Sequence, residues 1–129
     1  MNRRRALIVD DDGVFRAVLD RTLSRAGFVT AHAENGDQAL EVIQDFHPEL
    51  MVLDIWMPGD FDGVEVCRRV RADPRFQGLI IVMMSAADKR KETDRCLEAG
   101  ANIFIAKPFS PKQFLAQVKL LLREKGRSA

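Results

Sequence analysis

Five polar residues close short apolar runs in this chain: Asp10 and Asp11 after Ala6 to Val9, Asp54 after Leu50 to Leu53, Ser85 after Leu79 to Met84, and Lys107 after Ile103 to Ala106. Apolar runs this short, each followed by a segment of helical periodicity, read as buried strands of a parallel sheet with crossover helices. A polar residue at the end of such a strand is steered to the carboxyl edge, where open α/β sheets bind ligands. Separation along the chain is then no obstacle, because strand ends lie side by side. Three carboxylates on one edge repel, and a divalent cation held by oxygen ligands relieves them most simply. Mg2+ suits such a site, since it keeps several waters and uses one or two carboxylates together with a phosphate. A lysine and a hydroxyl aimed at the same spot would stabilise a second anion, most simply a phosphoryl group, with Asp54 as the nucleophile that receives it.

Each residue alone has a blander reading. A single Asp after a strand is usually a cap or turn former, and Asp12 is read that way, as the cap of a helix starting near Gly13. Ser85 alone would be a cap, and Lys107 alone a solvated charge. It is the joint pattern at four strand ends that capping does not explain.

The elements that must position these residues follow from the pattern. Phe28 to Ala33 is a weaker strand beside the four already named. Val14, Phe15, Val18, Leu19 and Leu23 repeat at helical spacing up to Ala26-Gly27, and Ala39, Leu40, Val42, Ile43 and Phe46 do so between the Asn35-Gly36 turn and Pro48. Val64 to Val70 predicts a third helix ending at Asp73-Pro74. Lys89 to Ala99 predicts a polar, weakly docked fourth closed by Gly100. Pro111 opens a fifth that carries Phe114, Leu115, Val118, Leu121 and Leu122, and the polar residues from Arg123 to Ala129 read as a frayed tail. The class is α/β.

Composition narrows the function. At 129 residues, 47% hydrophobic, the chain has room for one ordinary domain, and 20 Lys and Arg against 19 Asp and Glu (net +1) call for neither nucleic acid nor an anionic membrane. Cys67 and Cys96 lack metal-ligand spacing and read as buried, inert thiols of a reduced, cytoplasmic protein. No apolar run approaches the roughly 20 residues of a membrane span, and none fits a secretory signal.

Over essentially the whole chain these residues resemble the receiver domain of two-component response regulators. Asp10-Asp11 resembles the family's acidic pair, Leu50 to Pro58 its phosphoacceptor strand and loop, Ser85-Ala86 its hydroxyl and small residue, and Lys107-Pro108-Phe109 its lysine motif. The resemblance implies a flavodoxin-like, doubly wound, five-stranded parallel sheet of order 2-1-3-4-5 with five helices. It places the receiver in residues 1–124 and a polar tail or the start of a linker in 125–129. By the same resemblance Asp54 accepts a phosphoryl group from a histidine kinase or phosphotransfer protein, and the chain catalyses only its own phosphorylation and dephosphorylation. Asp11, Asp54 and the backbone carbonyl of Trp56 would ligate Mg2+, with Asp10 acting partly through water, while Ser85 and Lys107 bind the phosphoryl oxygens. Phosphorylation would move Ser85 and turn Phe104 inward, changing affinity for a downstream protein, or an output domain of the same protein, through the 89–124 face. Phe104 has core packing as its plainer role. The resemblance also implies a cis bond at Lys107-Pro108. A dimer is one oligomeric state the resemblance leaves open.

Two features depart from the family pattern. The loop Pro58-Gly59-Asp60-Phe61-Asp62-Gly63 is one residue longer than the commonest form, and its Asp60 reads first as a solvated charge, second as a group supporting the metal. Trp56 takes a position whose side chain lies over the acceptor, so its indole is expected to shield an acyl phosphate from water. His32, His47 and Arg3 to Arg5 receive no role in the chemistry, and Met51, Met83 and Met84 read as core filler. Two rival classes stand beside the signalling reading. A Mg2+-dependent phosphohydrolase would need an acid/base carboxylate two residues after Asp54, where Trp56 stands. An interaction module that no longer phosphorylates would not need the full Asp10, Asp11, Asp54, Ser85 and Lys107 set.

Overall fold

A computed structural model describes residues 4–86 and 89–128, with no side-chain description at 89, 90 or 126–128. The readings of Arg3 and Ala129 lie outside it. Strands and helices alternate in chain order: β1 (Arg5–Val9), α1 (Gly13–Arg25), β2 (Val29–Ala33), α2 (Gly36–Phe46), β3 (Leu50–Asp54), α3 (Gly63–Arg71), β4 (Ile80–Ser85), α4 (Lys89–Glu98), β5 (Ile103–Ala106) and α5 (Pro111–Ser128). A short 3-10 turn at Pro74–Phe76 joins α3 to β4. The sheet is parallel throughout, in the order β2-β1-β3-β4-β5.

The greasy strands are covered on both sides because alternate residues feed two separate cores. Leu7, Val9, Met51, Leu53, Ile81 and Met83 pack with α2, α3 and α4 residues such as Ile43, Val66 and Cys96. Ala6, Ile8, Leu50, Val52, Val82 and Met84 pack on the other face with Leu19 and Leu23 of α1 and Phe114 and Val118 of α5. The period-two division is what a strand buried on both faces requires.

Local chemistry starts the helices. Asp12 accepts from the backbone N–H groups of Val14 and Phe15, Asn35 from that of Gln38, and Asp62 from that of Glu65, each satisfying orphan donors of a first turn. Asp12 therefore has the capping role expected of it.

Two expectations from periodicity are corrected. Helical spacing puts Val14 and Val18 on one face with Phe15, Leu19 and Leu23, but the valines are 77% and 46% exposed, and Leu19 and Leu23 carry that helix's burial. Helix α1 packs against β1, β2 and α5, and helical spacing alone does not say how much of an apolar arc those neighbours cover. At the other end of the chain, helical backbone runs past Arg123 to Ser128, because Arg123, Glu124 and Lys125 are good helix formers and a polar composition does not by itself end a helix. Leu7→Ala is expected to lower stability by about 2–5 kcal/mol, and Val14→Ser to change it by less than about 0.5 kcal/mol, both read from urea denaturation.

Candidate functional site

Register brings the chemistry together. Val9 pairs with Leu53 and Asp54 pairs with Met84, so Asp10 leaves β1 beside Asp54, and Ser85 follows one step on in β4. Ser85 in turn pairs with Ala106, and the Lys107 N–H donates to the Ser85 carbonyl at 2.9 Å. All of this happens at the carboxyl ends of the strands. Lys107-Pro108 is cis, as the family resemblance implied.

Asp10, Asp11 and Asp54 each offer a carboxylate oxygen, and these oxygens lie within 4.8 Å of one another. Asp10 and Asp54 are buried, and Asp11 is exposed at the mouth. The Lys107 ammonium stands 2.8 Å from Asp10 Oδ2 and 3.3 Å from Asp54 Oδ1. Among the described residues, one ammonium against three carboxylates leaves an excess of negative charge in a hard-oxygen donor set, and that set suits a divalent cation such as Mg2+.

The electrostatics register the crowding. Burial pushes the Asp54 carboxyl up, the neighbouring Asp10 charge pushes it further, Lys107 pulls it down, and Asp11 adds a smaller upward push, leaving it at about 6. Burial would lower the Lys107 pKa, but its hydrogen bond to Asp10 and the charges of Asp54 and Asp10 outweigh that effect and raise it. The ammonium is thus held charged beside the two buried carboxylates.

Several supporting residues had escaped the sequence reading. Arg16 of α1 donates to the Asp10 carbonyl at 2.6 Å and fixes the backbone between the two acids. Phe15 lies under the Lys107 ammonium, 4.2 Å from ring centre, and packs edge-on against Phe109. Gly63 lets α3 begin against the acceptor strand, because a Cβ there would meet the Asp54 carbonyl oxygen at 2.1 Å. The Asp62-Gly63-Val64-Glu65 spacing of a capping box was a usable signal for this junction. No local pattern pointed to Phe15, whose partner Lys107 is remote in sequence, or to Arg16, whose side chain folds back over the turn to the Asp10 carbonyl.

The remaining candidates are exposed or packed in the core. Asp60 is exposed on the loop and does not join the carboxylate cluster among the described residues. Trp56, two residues past Asp54, is 53% exposed. Phe104 is partly buried against the core on the α2, α3 and α4 side. Cys67 and Cys96 are buried, and desolvation raises their thiols to about 11 and about 12, which makes them the inert cysteines expected.

A family model of the response regulator receiver domain matches residues 6–119. The chain is 40% identical over 121 residues to the DNA-binding response regulator MtrA of Mycobacterium tuberculosis, an alignment covering 94% of this chain and 51% of that protein. It is 38% identical over 120 residues to the phosphate regulon transcriptional regulatory protein PhoB of Pseudomonas aeruginosa, covering 93% and 52%. The chain thus spans about half the length of these curated relatives. Its fold is similar to that of a CheY-like response regulator receiver domain protein from Methanospirillum hungatei, with a TM-score of 0.91, 26% identity, and 99% and 100% of the two chains covered. The BeF3-activated N-terminal receiver domain of Klebsiella pneumoniae RstA is also similar, with a TM-score of 0.85, 32% identity, and 93% and 99% covered. Sequence, topology and the cluster of acids at the sheet's edge agree, and the chain belongs to the response regulator receiver domain family.

Proposed function

We propose that this receiver domain is a Mg2+-dependent phosphoacceptor switch that takes a phosphoryl group on Asp54 from a histidine kinase or phosphotransfer protein. The observation that carries the reading is the meeting of Asp10, Asp11 and Asp54 within 4.8 Å, with the Lys107 ammonium against Asp10 and Asp54. Asp10, Asp11, Asp54 and the Trp56 carbonyl are the groups that would hold Mg2+, which when bound neutralises the phosphoryl oxygens and lowers the barrier to attack.

In the transfer, an oxygen of the ionised Asp54 carboxylate attacks phosphorus, the phosphorus–nitrogen bond to the donor imidazole breaks, and the imidazole leaves with a proton. Lys107 and Ser85 hold the equatorial oxygens as charge redistributes. Water attack on the resulting acyl phosphate returns Asp54 and inorganic phosphate, and the Trp56 indole slows that step by covering the acceptor. The absence of a carboxylate at position 56 favours this self-limited chemistry over turnover of phosphate esters.

The output is a change in affinity at the face formed by residues 89–124, for a downstream protein or an output domain. The names of MtrA and PhoB describe DNA-binding or transcriptional regulators, so a DNA-binding output elsewhere in a longer protein is the favoured continuation, with no direct DNA contact from this domain. Among the described residues no helix is long and apolar enough to cross a membrane.

Incubation with Mg2+ and acetyl phosphate should add one phosphoryl mass, and Asp54→Asn should abolish it. Persistence of the adduct in that variant would sink the assignment. Asp11→Asn should weaken Mg2+ binding by about tenfold or more, equivalent to about 1.4 kcal/mol, in a titration of tryptophan fluorescence. Trp56→Ala should shorten the life of the phosphorylated form in a chase after removal of the donor.

Asp54 also sets a pH dependence. Its folded pKa of about 6 exceeds the ordinary 3.8, so the folded state prefers the protonated form. The wild type therefore loses stability relative to Asp54→Asn as pH rises from about 4 through 6. Without metal, the variant should be more stable at pH 7 by on the order of 2 kcal/mol, and the two should converge below pH 4 in thermal melts.

A further inference from the structure

Three groups meet at one guanidinium. Arg95 of α4 lies 5.5 Å from the centre of the Trp56 ring. Its Nη2 donates to Asp62 Oδ2 at 3.1 Å, and its Nη1 stands 3.3 and 3.4 Å from the two carboxylate oxygens of Glu92. Trp56 and Asp62 lie toward the two ends of the loop between β3 and α3, whose middle residues Pro58, Gly59 and Asp60 are exposed.

We propose that Arg95 is a positioning residue for the chemistry at Asp54, clamping both ends of this loop from α4. The proposal rests on the receiver reading above. It deepens it by making a residue of α4 responsible for where the Trp56 backbone and indole sit.

The side chains are chosen for the task. Asp62 is divided between two jobs: Oδ1 accepts the Glu65 N–H and caps α3, while Oδ2 takes Arg95. Glu92 is 5% exposed and three residues before Arg95, so its buried carboxylate both needs and aims the guanidinium. Only arginine offers a planar face for an indole and a fork for two carboxylates at once, and lysine cannot do both. Phe61, inside the loop, is held by Arg69 of α3 at 4.1 Å, a contact that keeps it on α3 and leaves Trp56 to Arg95. A displaced Trp56 would move a proposed ligand carbonyl and uncover the acceptor, and small misplacements are costly in such geometry.

The chain has one tryptophan and no tyrosine, so its emission reports this loop alone. Three variants test the clamp: Arg95→Met, Arg95→Lys, and Asp62→Asn, which keeps Oδ1 for the cap but removes the acceptor facing Arg95. The readouts are iodide quenching of Trp56 in metal-free protein, Mg2+ titration by its fluorescence, and loss of the phosphoryl group after charging with acetyl phosphate. Arg95→Met and Asp62→Asn should each increase quenching, weaken Mg2+ binding, and speed phosphoryl loss, the last two by about threefold to fivefold. The double variant should be no worse than the worse single one, and Arg95→Lys should recover only part of the effect. Wild-type values in all three readouts, or effects of the two singles that simply add, would overturn the clamp. If the wild type takes up no phosphoryl group, the receiver reading falls, while quenching and metal titration still decide the clamp.

Discussion

Negative charge confined to one sheet edge is the constraint on which the rest depends. Asp10 and Asp54 are buried with Asp11 at the mouth, and among the described residues Lys107 is the cation set against them. Burial in a medium of low polarity makes like charges expensive, and the rise of Asp54 to about 6 is the local sign of that expense. Packing the carboxylates more tightly would only raise that cost. The edge is therefore a place of stored electrostatic tension, relieved when charge of the right sign arrives.

The surrounding architecture resists that tension. Two cores, one on each face, pin the five strands so that their ends cannot splay. Arg16 grips the Asp10 carbonyl, the Asp12 cap turns the chain directly into α1, and Gly63 brings the start of α3 onto the Asp54 carbonyl. Each is a backbone device. Together they fix where carboxylates point without adding further side-chain charge among them.

The α4 side is built differently. Its helix buries Glu92 and Cys96 but leaves Leu97 half exposed, and it reaches the acceptor loop through a guanidinium. Ionic and ring contacts at partial exposure are weaker than a packed core and can rearrange without unfolding the sheet. A helix tied in this manner is suited to transmit a change at the loop to the face it presents.

How much of this was legible in the residues follows from range. Strand and helix order, the caps Asp12 and Asn35, the inert cysteines, and the gathering of Asp10, Asp11, Asp54 and Lys107 could be read directly, because hydrophobic periodicity and parallel topology are local signals with a forced spatial consequence. Receiver family membership was legible too, through motifs at those same strand ends. The tertiary structure alone decided the rest. It left Val14 and Val18 in solvent, since the width of a groove depends on neighbouring elements and not on the helix that fills it. It set Phe15 under Lys107 and Arg95 between Trp56 and Asp62, pairs separated by whole elements, and Arg16 back on the Asp10 carbonyl, and no pattern along one chain gives such distances. It also decided the charge balance at Asp54, because a pKa belongs to an environment and exists only once the strands have assembled.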